Sequence, residues 1–354
     1  MASINLASKY ETKLDERYKG RSLTDAWCGN TYTWEGVNSI KVWTLLTDEL
    51  NDYNAGASAN RFGTPSEVED ELNVYTLAKK RSFTKTFDIT NVQDQMFVKK
   101  ANSYLKQMWD ERYIPEIDKY RLSVWANGAG LGAVGATLTK STVIEAILTA
   151  CTALDDADVP GENRCVFLRS DIAIAAKLAS ELANNQNWTD KTIVKGKIAE
   201  INGVPVISTP KSKLPDGVQF IVKYKQATAD PMKLKMLRAN DDAPGYAGTL
   251  MEGLCRYDAF VLAQKADGIY VYGTTDKSCA APTFSIASNA VTITSTTSSA
   301  TIKYTTDGTN PKISSTAKTY SAAVAISADT KFRAYASKSG LVDSAISGYD
   351  AVKT

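Results

Sequence analysis

Hydrophobic and polar positions alternate with a period of two in several short stretches of the chain and with a helical period in others. In residues 37–46, VNSIKVWTLL, the positions Ile40, Val42 and Thr44 share one face, and in residues 82–89, SFTKTFDI, Phe83, Phe87 and Ile89 oppose Ser82, Thr84, Thr86 and Asp88. Both patterns predict β-strands. Between them runs NDYNAGASANRFGTPSEVED, polar and glycine-bearing, and longer than an ordinary connection inside a compact domain. The pair predicts either a projecting hairpin or an ordinary two-stranded edge with a loose tip.

Helical spacing takes over next. Thr90 with Gln93 forms a capping box, and Phe97, Ala101, Tyr104, Leu105, Met108 and Trp109 recur on one stripe, so an amphipathic helix is expected from near Asn91 towards Trp125. Pro115 lacks an amide proton and clashes with the carbonyl of Glu111, which predicts a kink or a break there. A second helix is expected in STVIEAILTACTALDDA, ended by the Pro160-Gly161 turn, followed by a buried strand in CVFLRS. SDIAIAAKLASELA predicts a third helix capped by Ser170 or Asp171. INGVPVIST, GVQFIVKY, MKLKMLR and GIYVYG then read as strands bounded by turns. This mixture is α+β.

The pattern changes near residue 280. All six tryptophans lie at or before Trp188, whereas the segment from Ala281 to Thr354 is about one third Ser and Thr in short alternating runs. A boundary is placed at CAAPT, residues 279–283, and 354 residues at 44% hydrophobic content suffice for two domains.

Charge and composition narrow the function. Forty-one basic and 39 acidic residues give a net charge of +2 without long runs, so any contact with nucleic acid must be local. Cys28, Cys151, Cys165, Cys255 and Cys279 are scattered without a CxxC and read as structural thiols. The opening MASINLASKYETKLDERY is charged where a signal peptide needs an apolar run, so a soluble, unsecreted protein is expected. The chain has no histidine, which excludes Ser-His-Asp, Cys-His and HExxH chemistry and ordinary mixed-ligand zinc sites. No catalytic residue, cofactor or metal ligand is assigned.

Three motifs mislead. GLGAVG, Gly130 to Gly135, matches the dinucleotide fingerprint by letter, but a helix precedes it instead of a strand, so it reads as a helix-to-helix connection. DDADVPGE gathers Asp155, Asp156, Asp158 and Glu162, yet an EF-hand counted from Asp156 places Phe167 where its last acid belongs. The lysines of KTIVKGK and KSKLPDG, with Lys211, Lys213, Lys223 and Lys225, lack interleaved aromatics and read as solvated surface.

YIPEIDKYRLSVWA, ALDDADVPGENRCVFLRSD, EINGVPVIST and EGLCRYDAFVLAQKADGIYVYG, taken in that order and spacing, resemble the major capsid proteins of tailed bacteriophages with the Hong Kong 97 type shell fold, over residues 1 to about 275. The resemblance implies an N-terminal arm (1–36), an extended E-loop (37–89), a spine helix (91–125) and peripheral and axial domains (126–279), the axial part beginning near Arg164. It also implies hexamers and pentamers of the chain, a portal protein, double-stranded DNA held by non-specific contact, and a place in the virion after assembly in the host bacterial cytoplasm. No membrane partner is implied. Because the chain enters the arm almost at once, a scaffolding protein would be a separate chain. Some members crosslink through lysine and asparagine; the tip NDYNAGASANRFG has no lysine, so no such bond is expected.

The segment ATIKYTTDGTNPKISSTAKTYSAAVAISADTKFRAYASKSGLVDS is similar to the immunoglobulin-like module at the C-terminus of chitobiase and other hexosaminidases. Asp307-Gly308 is expected to turn the chain, Pro311 to end that turn, and Phe332, Ala334 and Ala336 to point inward. The module, 280–354, carries a net charge of +3 against −1 for the rest, and in such capsids lies on the outer face, where a glycan is a possible partner. An encapsulin-like compartment and a glycan-binding or glycan-cleaving enzyme are the alternatives. The enzyme would need two carboxylates at a set separation, and none stands in a recognisable setting.

Overall fold

The computed structural model describes residues 22–29, 39–45, 52–56, 59–64, 67–68, 70–88, 101–179, 197–241, 244–245 and 247–353. The expected capping box at Thr90 and Gln93, the helix start near Asn91, most of the N-terminal arm and the lysines of 191–196 lie outside the described residues.

A six-stranded mixed sheet forms the centre. Its order is β4 (Leu131–Gly135), β13 (Ile269–Thr274), β8 (Val218–Tyr224), β5 (Arg164–Arg169), β7 (Val204–Thr209) and β6 (Lys197–Ile201). Strand β5 is buried at all six positions because both sheet faces are covered. Val166 and Leu168 pack under α3 (Val143–Asp156) and α4 (Ser170–Lys177), while Cys165 and Phe167 meet Leu122, Trp125 and Ala126 of α2 (Ile114–Gly128) on the other face. The expected side-chain cap on α4 does not form, since the Asp171 carboxylate accepts from Arg169 Nε at 2.7 Å instead.

The long helix runs on through Pro115, so the expected disturbance is one widened turn and not a break. Helix α1 (Ala101–Met108) passes into one π turn, Trp109–Tyr113, and then into α2, with the Ile114 amide donating to the Trp109 carbonyl. The wider turn accommodates the Pro115 ring and its missing amide proton within the helix.

The strand pairing differs from the expected hairpin. β1 (Ser39–Leu45) pairs with β2 (Asp70–Thr76), Trp43 opposite Leu72, whereas β3 (Lys79–Asp88) joins β11 (Gly248–Tyr257) and β10 (Met232–Asn240) in a separate sheet ordered β10-β11-β3. Asn73, Tyr75 and Leu77 are buried at alternate positions, a period of two that the acids of β2 conceal. GLGAVG is likewise not a helical connection. Five of its six residues are strand β4, parallel to β13, and its glycines serve close packing: a Cβ on Gly132 would stand 2.6 Å from the Val271 carbonyl oxygen.

The C-terminal strands form two small sheets. One is β14 (Thr283–Ala287), β15 (Ala290–Thr294) and β18 (Val324–Ala325); the other runs β17 (Lys318–Thr319), β16 (Thr301–Thr305), β19 (Thr330–Ser337) and β20 (Ser347–Ala351). Phe332, Ala334 and Ala336 of β19 point inward as expected, and Val291, Ile293 and Tyr304 join Phe332 and Ala334 in one core.

Candidate functional site: assembly and docking surfaces

The β1/β2 hairpin has one face on the body and one free. Tyr75, with half-buried Ile40 and Val42, packs on Leu77, Ala229 and Leu262, and the Tyr75 hydroxyl accepts from the Ala263 amide at 3.2 Å. The opposite face exposes Trp43 at 64%, with Leu72 and Val74 beside it. At the tip the Tyr53 and Phe62 rings stand 5.0 Å apart, and Phe62 is 82% exposed. A run of solvated aromatics on a two-stranded ribbon marks an interaction surface.

At the root of the long helix a polar network fastens residues 22–29. Asp118, fully buried, accepts from Ser22 Oγ at 2.7 Å, Thr24 Oγ1 at 2.7 Å, the Leu23 amide at 3.1 Å and Lys213 Nζ at 2.7 Å. Burial alone would raise its pKa, but the bonds from Lys213, Thr24 and Ser22 hold it below the usual carboxylate value. Lys213, through that ion pair, and Lys223 both depart from the expected solvated surface. Lys223 goes furthest. It is buried, donates to the Trp27 carbonyl at 2.5 Å and lies 4.1 Å from the Trp125 ring centroid. Burial pulls its pKa below the ordinary lysine value. The five cysteines are free and buried, and burial pushes the Cys28 thiol up to about 12, which makes it a poor nucleophile.

The loop that follows β16 docks the C-terminal strands on the body. Asp307 accepts from the Thr309 amide at 3.0 Å, Thr309 Oγ1 at 2.6 Å and Thr316 Oγ1 at 2.6 Å, while Gly308 takes φ +76°, so TDGT folds on itself. The next residues reach across: Lys312 Nζ donates to the Asn127 and Ala129 carbonyls at 2.7 and 2.8 Å, and Asn310 Nδ2 donates to the Ala263 carbonyl at 3.3 Å. Two amides add to the seam, Asp343 to Asn127 Oδ1 at 3.2 Å and Ile346 to the Gly130 carbonyl at 2.8 Å. Lys312 thereby caps the last turn of α2, where carbonyls lack helical partners and a cation is favoured. Beside it lies an open cleft of about 490 Å³ walled by Tyr75, Val124, Phe260, Tyr335 and Asp343. Among the described residues no group of three or more His, Cys, Asp or Glu is placed to hold a metal, and no helix is long and apolar enough to cross a membrane.

Solved structures superpose on most of this chain. A structure from Mycobacterium phage Che8 superposes with a TM-score of 0.62 at 15% identity, over 77% of this chain and 98% of that one. The capsid structure of cyanophage P-SCSP1u gives 0.59 at 12% identity over 77% and 93% of the two chains. The mature capsid of bacteriophage PhiM1 gives 0.56 at 10% identity over 76% and 92%. This is a phage capsid fold. A family model described as the chitobiase/beta-hexosaminidase C-terminal domain matches residues 280–348, so the capsid fold is followed by an immunoglobulin-like segment. The comparison with curated proteins finds no match.

Within this capsid fold the half-buried Lys312 gives the seam a pH dependence of determinate sign. Burial lowers its pKa from 10.5 to about 8. Between those values the unfolded chain holds a proton that the folded chain has released, so this residue's contribution to stability rises with pH across that window and is least favourable below it. Urea unfolding of the wild type and of Lys312→Met at pH 7 and pH 10 is expected to show the difference between them shifting in favour of the wild type at the higher pH. An unchanged difference would show that Lys312 stays charged throughout.

Proposed function

We propose that the chain is the shell subunit of a tailed-phage head, assembling as hexamers and pentamers around double-stranded DNA. The observation that carries the reading is the free aromatic face of the β1/β2 hairpin on a phage capsid fold. A surface bearing Trp43 and Phe62 at 64% and 82% exposure gains by covering them with a second copy. A heterologous contact that closes by rotation builds rings, and rings tile a shell. In this reading residues 1–279 form the shell part and 280–354 an outward module, open to a glycan. The portal protein and a separate scaffolding protein complete the partners.

Expression of the chain, with and without candidate scaffolds, followed by electron microscopy, tests the proposal. Closed shells or capsomer rings are expected; monomers alone under every condition would overturn it. In the same assay Trp43→Ser with Phe62→Ser is expected to lower assembly at least tenfold while leaving the circular dichroism and melting temperature of the unassembled chain unchanged, because both side chains are solvated in it.

A further inference from the structure

The chain is almost neutral, yet its charge is sharply sorted. Residues 39–76, which include the β1/β2 hairpin, carry seven acids against two cations, four of the acids being Glu67, Glu69, Asp70 and Glu71. The three strands β3, β10 and β11 carry eight cations against two acids, and β3 alone bears Lys79, Lys80, Arg81 and Lys85. β3 is an edge strand, and all four of those cations are exposed. Arg81 is engaged by Glu116 at 2.6 Å and Lys79 lies over Tyr120, but among the described residues Lys80 and Lys85 have no acidic partner, nor has Glu67 or Asp70 a cationic one.

Within one copy no ion pair joins Glu67 or Asp70 to Lys80 or Lys85 among the described residues. Asp70 stands at the far end of β2, opposite Leu45, and a strand rising ~3.3 Å per residue places it roughly 20 Å from Thr76, after which the cations of β3 begin. At physiological salt such a separation exceeds the screening length of about 8 Å. A second copy displaced along the ring has no such restriction.

We propose that the acids Glu67 and Asp70 of one copy lie against the basic edge strand β3 of the next, so that charge sets where the hairpin lands on its neighbour. This rests on the shell reading above and adds the receiving surface to it. Long-range attraction between the two patches speeds encounter and suppresses misregistered pairings, while the aromatic face of the hairpin supplies the apolar burial. The contact is heterologous, as ring closure requires.

Charge exchange tests it. Lys80→Glu with Lys85→Glu, and separately Glu67→Lys with Asp70→Lys, are each expected to raise the protein concentration needed for rings or shells at least tenfold, and the four changes combined to restore it to within about threefold of the wild type. Wild-type assembly is expected to weaken as salt rises from 50 to 500 mM. Circular dichroism and melting of the unassembled chains confirm folding; if the sheet variant misfolds, Lys80→Gln with Lys85→Gln is read in the same way. Assembly of both reversed pairs at the wild-type concentration, or a combination no better than either pair, overturns the inference and leaves the shell reading standing. A sheet variant that assembles normally but packages less DNA also overturns it, in favour of β3 facing DNA. A wild type that never assembles counts against the shell reading itself.

Discussion

Replacing Asp118 with alanine is expected to destabilise the folded chain by ~3–5 kcal/mol, the range for removing one partner of a buried ion pair. The carboxylate is fully buried and is the acceptor for Ser22, Leu23, Thr24 and Lys213 together, so its loss strands an ammonium and several donors at once. Asp118→Asn keeps the shape and one acceptor oxygen and is expected to recover part of the loss. The effect depends on pH with a fixed sign. The folded pKa lies below the 3.8 of the free group, so the stabilisation is fully present above that value and disappears as pH falls through the folded one. Urea midpoints read by tryptophan fluorescence at neutral and acid pH check this: the gap between wild type and Asp118→Ala narrows on acidification. A gap of the same size at both would show that the carboxylate is not what fastens residues 22–29 to α2.

Phe332→Ala is expected to cost ~3–5 kcal/mol and to act regionally. The ring is fully buried between Tyr304 and Phe284, at centroid distances of 6.2 and 6.4 Å. A unit of about seventy residues has only ~4–10 kcal/mol of stability to lose, so the substitution removes much of it. Hydrogen exchange is expected to show protection lost across β15, β16 and β19 and kept in β5 and β8, with a secondary loss at residues 126–129, where Lys312 caps the helix. Equal loss in every strand would show instead that the chain unfolds as one cooperative unit.

These outcomes bear on how far the fold was legible in the sequence. β5 and β8 were readable because each holds a short apolar run, Cys165 to Leu168 and Phe220 to Val222, flanked by turn signals, as in a strand covered on both faces. Phe332, Ala334 and Ala336 were readable because period-two alternation survives in a sandwich core. β2 was hidden by its acids, of which Asp70 lies on the face that meets solvent with Leu72 and Val74, and β4 by its glycines, whose small size lets two strands pack closely. Pro115 signalled a disturbance in the long helix, but sequence periodicity cannot distinguish a break from a single widened turn. Lys223 was missed because burial of an ammonium depends on Trp27 and Trp125, residues remote in sequence. The proposed docking surface was anticipated only as a projecting ribbon with the wrong second strand; its aromatic face and the basic strand were not, because facing direction follows from register and register from pairing.

The seam between the body and the C-terminal strands has a consequence for engineering. Its acceptors on the body at Asn127, Ala129, Gly130 and Ala263 are main-chain carbonyls, joined by the Asn127 side chain, so the body is recognised mainly by the path of its backbone and most side-chain changes there leave the attachment intact. The side-chain donors come from Asn310 and Lys312, two positions in one loop. A chain cut after residue 279 would therefore not simply shed an ornament; it would leave the end of the long helix uncapped, and a foreign domain grafted in its place would need a loop that returns a lysine to that spot.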